Sequence, residues 1–247
     1  MADRAMKGII LAGGAGTRLN PITKVTSKQL LPIYDRPMIH YPLETLLTAG
    51  IKDILIIMAP DHAGDFLKYL GSGKDFGCHF SYEIQDKPEG IAQAFIIGED
   101  FIDRDNVTLI LGDNLFEDDF SEAIQTFESG GRIFAKEVPD PERFGVVEFD
   151  EHNKAISIEE KPAQPKSAYS VTGIYIYDNT VVEKVHNLAP SARGELEISD
   201  VNALYLKEGT LDVAFVKGAW FDTGTFESMH AASEFARKRS LAKQQSL

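Results

Sequence analysis

A glycine-rich turn and a handful of charged side chains carry the chemistry open to this chain. Gly13, Gly14 and Gly16 follow the apolar run Gly8-Ile9-Ile10-Leu11, with Arg18 and Lys28 soon after. Three missing Cβ atoms in four positions let backbone N–H groups turn toward an anion. Arg18 adds a planar fork for phosphate oxygens and Lys28 a mobile point charge, a pair suited to a polyphosphate whose geometry changes during reaction. Two better-known loops fail by residue. A dinucleotide fingerprint needs glycine where Leu19 stands, and a Walker A loop needs Gly-Lys-Ser/Thr where Thr17-Arg18-Leu19 stands. From Gly13 to Gly16 alone, a plain tight turn is an equal reading. Asp113 follows Leu109-Ile110-Leu111-Gly112, and Asp222 follows Trp220-Phe221. Each leaves a buried strand where it could face a cleft, or cap a turn N–H. Lys161, in Glu159-Glu160-Lys161-Pro162, is by itself a solvated strand end.

Taken together, LAGGAGTRL and the following Ser27-Lys28-Gln29-Leu30-Leu31-Pro32 resemble the signature of the sugar-1-phosphate nucleotidyltransferases, and within them the glucose-1-phosphate thymidylyltransferases. Other motifs follow in the family's order from Lys7 to Phe235. The resemblance implies a Rossmann-like fold and a reaction joining dTTP and glucose 1-phosphate into dTDP-glucose and pyrophosphate. It implies Mg²⁺ held by Asp113 of Leu-Gly-Asp-Asn and Asp222 of Trp-Phe-Asp-Thr-Gly-Thr, with substrate phosphates and water completing the shell. It places the nucleotide on Leu11, Gly13, Gly14, Gly16, Thr17, Gln85, Gly90 and Asp113, with Gln85 and Gly90 of QDKPEGIAQAF at the base. It places the sugar phosphate on Asn114, Gly145, Glu160, Lys161, Val171, Tyr175 and Arg193. Arg18, Lys28 and Lys161 become the catalytic cations: Arg18 and Lys28 toward the departing pyrophosphate, Lys161 on the attacking phosphate. The chain ends soon after Thr225–Arg239, whereas longer members continue with helices of a regulatory nucleotide site. This implies a short form, binding a downstream nucleotide sugar mainly at the active site.

Composition narrows the classes. At 247 residues, 43% hydrophobic, the chain can bury a sizeable core and reads as a single domain over 1–247. Residues 6–115 form mainly a nucleotide half and 116–240 mainly a sugar-phosphate half. A formal charge of −13 argues against nucleic acid or an anionic membrane as partner, so any phosphate site is locally basic. The single Cys78 excludes an internal disulfide and, with no leader-like start, predicts a cytoplasmic protein. No apolar run approaches the roughly 20 residues of a membrane span. The six His residues form no zinc-helix pair, and no Gly-x-Ser-x-Gly is present. Three alternatives stand beside the thymidylyl reading: a uridylyltransferase using UTP, a catalytically dead regulatory subunit of this fold, and a glycosyltransferase with Glu117-Asp118-Asp119 as metal motif. The last leaves Arg18, Lys28 and Lys161 unexplained, and the regulatory subunit would tolerate loss of Arg18, Asp113, Lys161 or Asp222, none of which is lost.

The elements that must position these residues alternate. Strands are expected at Gly8–Leu11, Ile54–Met58, Phe80–Ile84 and Val107–Leu111, with helices at Pro37–Ala49, His62–Leu70 and Ile91–Phe101 between them. This βαβ pattern predicts a mostly parallel, doubly wound sheet covered on both faces, with ligands beyond the carboxyl ends of its strands. The second half is richer in strands: Ile133–Glu137, Val146–Phe149, Ile156–Glu159, Val171–Tyr177, Val213–Val216 and Ala219–Phe221. Its helices are expected at Thr180–Asn187, Ile198–Lys207 and Thr225–Arg239, with a frayed tail after Ser240. Phe226, Met229, Phe235 and Leu241 could serve a homo-oligomer interface or pack on the domain. Met1–Met6 reads as a ragged extension without chemistry.

Overall fold

The computed structural model describes residues 5–14 and 16–245, so the expected ragged start falls outside it up to residue 4. β1 (Met6–Ala12) leads through the glycine turn to a small hairpin, β2 (Pro32–Ile33) and β3 (Arg36–Pro37), and then α1 (His40–Thr48). The helix expected from Pro37 therefore starts three residues later, because the hairpin claims Pro37. β4 (Asp53–Met58), α2 (Ala63–Leu70) and β5 (His79–Ile84) follow. The expected Ile91–Phe101 helix is two short ones, α3 (Gln93–Ile97) and α4 (Glu99–Ile102), separated at Gly98. A Cβ there would come within 3.0 Å of Leu55 Cδ2 and 3.1 Å of Ile9 Cδ1, so the break lets the chain lie close on the sheet. β6 (Asn106–Leu111) closes this half.

β1 pairs in parallel with β4 on one side and with β6 on the other, and β5 lies beyond β4. The chain winds outward from β1 through β4 and β5, then returns to β1's other edge. Strand order thus reverses between β1 and β6, and such a switch point opens a crevice at the carboxyl ends of the two strands. Gly13 and Asp113 stand at those ends.

The second half adds β7 (Asn114–Phe116), α5 (Ser121–Gln125), β8 (Gly131–Glu137), β9 (Gly145–Phe149), β10 (Ala155–Glu160) and β11 (Tyr169–Tyr177). Then come α6 (Thr180–His186), α7 (Ile198–Glu208), β12 (Leu211–Phe215), β13 (Trp220–Asp222) and α8 (Phe226–Gln245). β11 joins the halves, antiparallel to β6, β8 and β9, in a nine-stranded sheet. β13 pairs antiparallel with β7, setting Asp222 opposite Asn114, the neighbour of Asp113. α8 runs through the tail expected to fray, since Leu241, Ala242, Lys243 and Gln244 are all good helix formers. Met229 and Phe235 pack on a small core with Leu19, Ile33, Met38 and Leu115, whereas Phe226 and Leu241 stay exposed. The two larger cores lie around α1 and α2, and around α3, α6 and α7, covering the sheet with apolar side chains as burial demands.

Candidate active site

A cavity of about 300 Å³ opens at the switch point, lined by Arg18, Asp113, Asn114, Gly145, Glu160, Lys161, Val171, Tyr175 and Asp222 from the sequence-derived set. Arg143, Phe144, Ser199 and Trp220 join them, unassigned from the sequence. Arg143 and Phe144 belong to Arg143-Phe144-Gly145-Val146-Val147, a stretch that resembles the family's sugar-binding elements, and Trp220 opens the motif that carries Asp222. Ser199 carried no signal, because its place depends on how α7 packs on β10.

Asp113 is held by opposed contacts. Lys28 pairs with its Oδ2, and Asn114 Nδ2 donates to Oδ1 at 2.9 Å. Trp220 Nε1 donates to Asn114 Oδ1 at 2.6 Å. The indole can only donate, so the Asn114 amide is fixed with its NH₂ toward Asp113. Gly173 leaves room for this amide: a Cβ there would sit 2.4 Å from Asn114 Oδ1. Asn114, expected on the sugar phosphate, lines the cavity but spends its amide on orienting Asp113. Lys28, expected at the leaving phosphates, meets Asp113 in the same way. Burial alone would raise the Asp113 carboxyl, but the Lys28 ammonium and these hydrogen bonds hold it below the ordinary range.

Asp222 behaves oppositely. Burial, and then the Asp113 charge, push it up to about 6 against the pull of Lys28, Arg18 and Arg143. Two buried carboxylates that raise each other's cost of ionising make a donor set for a hard cation, and two protein carboxylates plus substrate oxygens suit Mg²⁺. Arg18 reaches this corner because position 224 is glycine: a Cβ there would lie 2.6 Å from Arg18 Nη2.

On the opposite wall, Ser199 Oγ donates to Glu160 Oε2 at 2.5 Å, and Lys161 Nζ lies 3.5 Å from Glu160 Oε1. Lys161 has φ +43°, a left-handed conformation that costs a side-chain-bearing residue about 1–3 kcal/mol. Its N–H is tied to Phe144 O at 2.9 Å, which holds the turn. Gly145 is closed in by Ser199 and Glu160, whose atoms a Cβ would meet at 2.7 and 3.3 Å. The Tyr175 hydroxyl stays protonated, raised by burial and then by Glu160, Asp113 and Asp222.

The remaining residues of the sequence-derived set lie outside this cavity. Gly14 and Thr17 are exposed, while Gly16 takes φ +60° beside Thr23 and Lys28. Leu11 lies near the end of β1 and Gly13 just after it, and Gln85 packs against Gly13. Gly90 has φ +106°, and a Cβ would strike Leu196 O at 2.3 Å, so glycine is required where Leu196 N–H bonds Glu89 O at 2.7 Å. Arg193 does not line the cavity; its guanidinium forks onto Glu197 at 2.8 and 2.9 Å and stands 3.6 Å from Glu160 Oε1. Of Glu117-Asp118-Asp119, the alternative glycosyltransferase metal motif, Glu117 and Asp118 accept from the N–H groups of Lys217, Gly218 and Ala219, and Asp119 accepts from the Ser121 N–H. Among the described residues no cluster of three metal-type side chains exists, and no helix is long and apolar enough to cross a membrane.

The profile of the nucleotidyl transferase family matches residues 7–239. The chain belongs to this family. It is 57% identical over 238 residues to the glucose-1-phosphate thymidylyltransferase of Neisseria meningitidis, covering 94% of this chain and 83% of that protein. A Bacillus anthracis crystal structure described as a glucose-1-phosphate thymidylyltransferase in complex with sucrose superposes with a TM-score of 0.90. The two are 50% identical, over 94% of this chain and 96% of that one. A UDP-glucose pyrophosphorylase complexed with UDP-glucose shares the fold at a TM-score of 0.83 and 26% identity, covering 95% of this chain and all of the other.

Proposed function

We infer that this chain transfers the thymidylyl group of dTTP to glucose 1-phosphate, giving dTDP-glucose and pyrophosphate. The observation that carries the reading is one cavity lined at once by Arg18, Lys161, Asp113 and Asp222, in a chain so similar to named thymidylyltransferases. A phosphate oxygen of the sugar phosphate attacks the α-phosphorus, and the bond to the β-phosphate oxygen breaks in line. A phosphate monoester is already nucleophilic, so alignment and charge neutralisation do the catalysis. Lys161 steadies the attacking phosphate, which the α-phosphate would otherwise repel. Glu160, kept in place by Ser199, accepts from sugar hydroxyls. Arg18 takes up charge growing on the departing pyrophosphate, with Arg143 beside it. Lys28 keeps Asp113 ionised and turned toward Asp222. Asp113 and Asp222 would hold Mg²⁺, which when bound neutralises phosphate charge at the reacting centre. The proposed base contacts are Gln85 and Gly90, with Leu11 and Gly13 beside them and Gly14, Gly16 and Thr17 toward the triphosphate. The proposed location is the cytoplasm.

The test is a panel of dTTP, UTP, ATP and GTP against glucose 1-phosphate and related sugar phosphates, followed by pyrophosphate release. dTTP with glucose 1-phosphate should be the best pair. UTP should react less well, since one small apolar group is worth about 10–200-fold. The fold shared with a UDP-glucose pyrophosphorylase makes the uridylyl reading the rival, and a preference for UTP would establish it.

A further inference from the structure

Gln85 is 4% exposed, and its side chain belongs to a row of amides whose polarity a single bond decides. The Glu89 backbone N–H donates to Gln93 Oε1 at 3.1 Å. A backbone N–H only donates, so that atom is the Gln93 carbonyl oxygen rather than its NH₂. Gln93 Nε2 consequently faces the other way and donates to Glu89 Oε2 at 2.9 Å. The Gln85 atom 2.6 Å from Gln93 Oε1 must then be Nε2. Gln85 Oε1 turns to the opposite side, against Gly13, where an added Cβ would lie 1.9 Å away. No described residue donates to it. Gln93 itself is firmly seated, the first residue of α3, between buried Ala92 and Ala94 and next to the Ala92 N–H bond to Leu196 O at 3.2 Å.

We propose that Gln93 is a positioning residue for base selection: it fixes which way round Gln85 presents its amide, and so admits pyrimidines with an imide edge while turning cytosine away. This rests on Gln85 being the base contact. Held by Gln93, the Gln85 amide keeps Oε1 and its second Nε2 hydrogen for a ligand. Thymine and uracil complement that pair, offering an N3–H beside a carbonyl oxygen. Cytosine offers a bare N3 beside an NH₂, and meets acceptor with acceptor and donor with donor. An amide free to turn over would exchange its oxygen and nitrogen and accept either base. Discrimination therefore depends on Gln93 as much as on the residue that touches the base, because a site rejects the wrong partner only when its polar groups cannot rearrange to suit it.

The experiment measures kcat/KM for dTTP, UTP and dCTP, each with glucose 1-phosphate and Mg²⁺. The variants are Gln93→Leu, Gln85→Leu and the double exchange Glu89→Gln with Gln93→Glu. In the double variant the new carboxylate at 93 still accepts from Gln85 and from the N–H of residue 89, while the amide at 89 donates to it. Gln93→Leu should lower the dTTP:dCTP ratio by about tenfold or more, the worth of one misdirected hydrogen bond, with the dTTP:UTP ratio unchanged. The double exchange should keep the wild-type ratio, which loss of mere packing at 93 would not predict. An unchanged ratio in Gln93→Leu, or a double exchange as indiscriminate as that variant, overturns the proposal. If Gln85→Leu leaves the ratio intact, Gln85 does not read the base and the underlying site reading fails with it. If Gln93→Leu does not fold, the double exchange decides alone.

Discussion

Asp113 and Asp222 sit in one buried corner with opposite electrostatics, one held ionised by Lys28 and the other pushed up to about 6. Replacing either by Asn removes a hard oxygen ligand while keeping its shape. Asp113→Asn and Asp222→Asn should therefore abolish Mg²⁺-dependent pyrophosphate release and leave the circular dichroism spectrum unchanged; near-native turnover in either would remove that carboxylate from the ligand set. Arg18 poses a different question, because it is exposed and comes within reach of Asp222 only through the gap at Gly224. If it answers charge that appears as pyrophosphate leaves, Arg18→Ala should lower kcat about 10²–10³-fold with little change in nucleotide affinity. A change confined to KM would make it a ground-state contact. These residues could be picked out of the sequence because each stands in a short local motif at a strand end. Arg143, Trp220 and Gln93 stand inside such motifs too, but their own roles arise, like that of Ser199, from packing between segments far apart in the chain. Arg193, whose motif reads as sugar-binding, has its guanidinium on Glu197 one turn on and 3.6 Å from Glu160.

The strands of the parallel half were legible to within a residue or two, because β1, β4 and β6 are buried, nearly continuous apolar runs and the edge strand β5 alternates apolar with polar residues. Two small elements were not. β7 is three residues long and exists to carry Asn114 opposite Asp222, and the β2–β3 hairpin turns through Tyr34 at φ +58°, with no glycine to announce it. Next to that hairpin, α1 begins at His40, whose Nδ1 lies 3.0 Å from the Tyr69 hydroxyl of α2 and whose ring meets Phe76 edge-on at 5.8 Å. Burial, and then the Arg36 charge, lower the His40 pKa below its usual 6.5. The unfolded chain then binds this proton more readily than the folded one. The contribution of His40 to stability is complete above about pH 6.5 and declines as pH falls from there through the folded value. Thermal melts between pH 8 and pH 5 should show wild type losing more stability on acidification than His40→Gln, which keeps a polar partner for Tyr69 but does not titrate. Parallel curves would mean that His40 is not held neutral in the fold.

At the scale of the whole molecule, the two halves meet where the reaction needs them to. Asp113 comes from the end of β6 in the parallel half and Asp222 from β13 in the other, and Arg18 and Lys161 divide in the same way. Two anionic substrates must be brought together on a chain with a formal charge of −13, so the local cations and a bound metal have to overcome a repulsive background. Joining ligands across the halves should appear as stability. A ligand at about 100 times its Kd adds about 2.7 kcal/mol, or roughly 5–11 °C in Tm for a chain of this size. dTTP with Mg²⁺ should raise the wild-type Tm by more than dTTP alone, the difference reporting a cation bound between Asp113 and Asp222. Asp222→Asn without ligand should melt at or above wild type, because burial beside Asp113 works against an ionised Asp222. With dTTP it should keep the metal-free increment and lose the Mg²⁺-dependent one. Should the variant retain the full Mg²⁺-dependent rise, the cation does not link the two halves through Asp222, and the carboxylate's raised pKa would need another purpose.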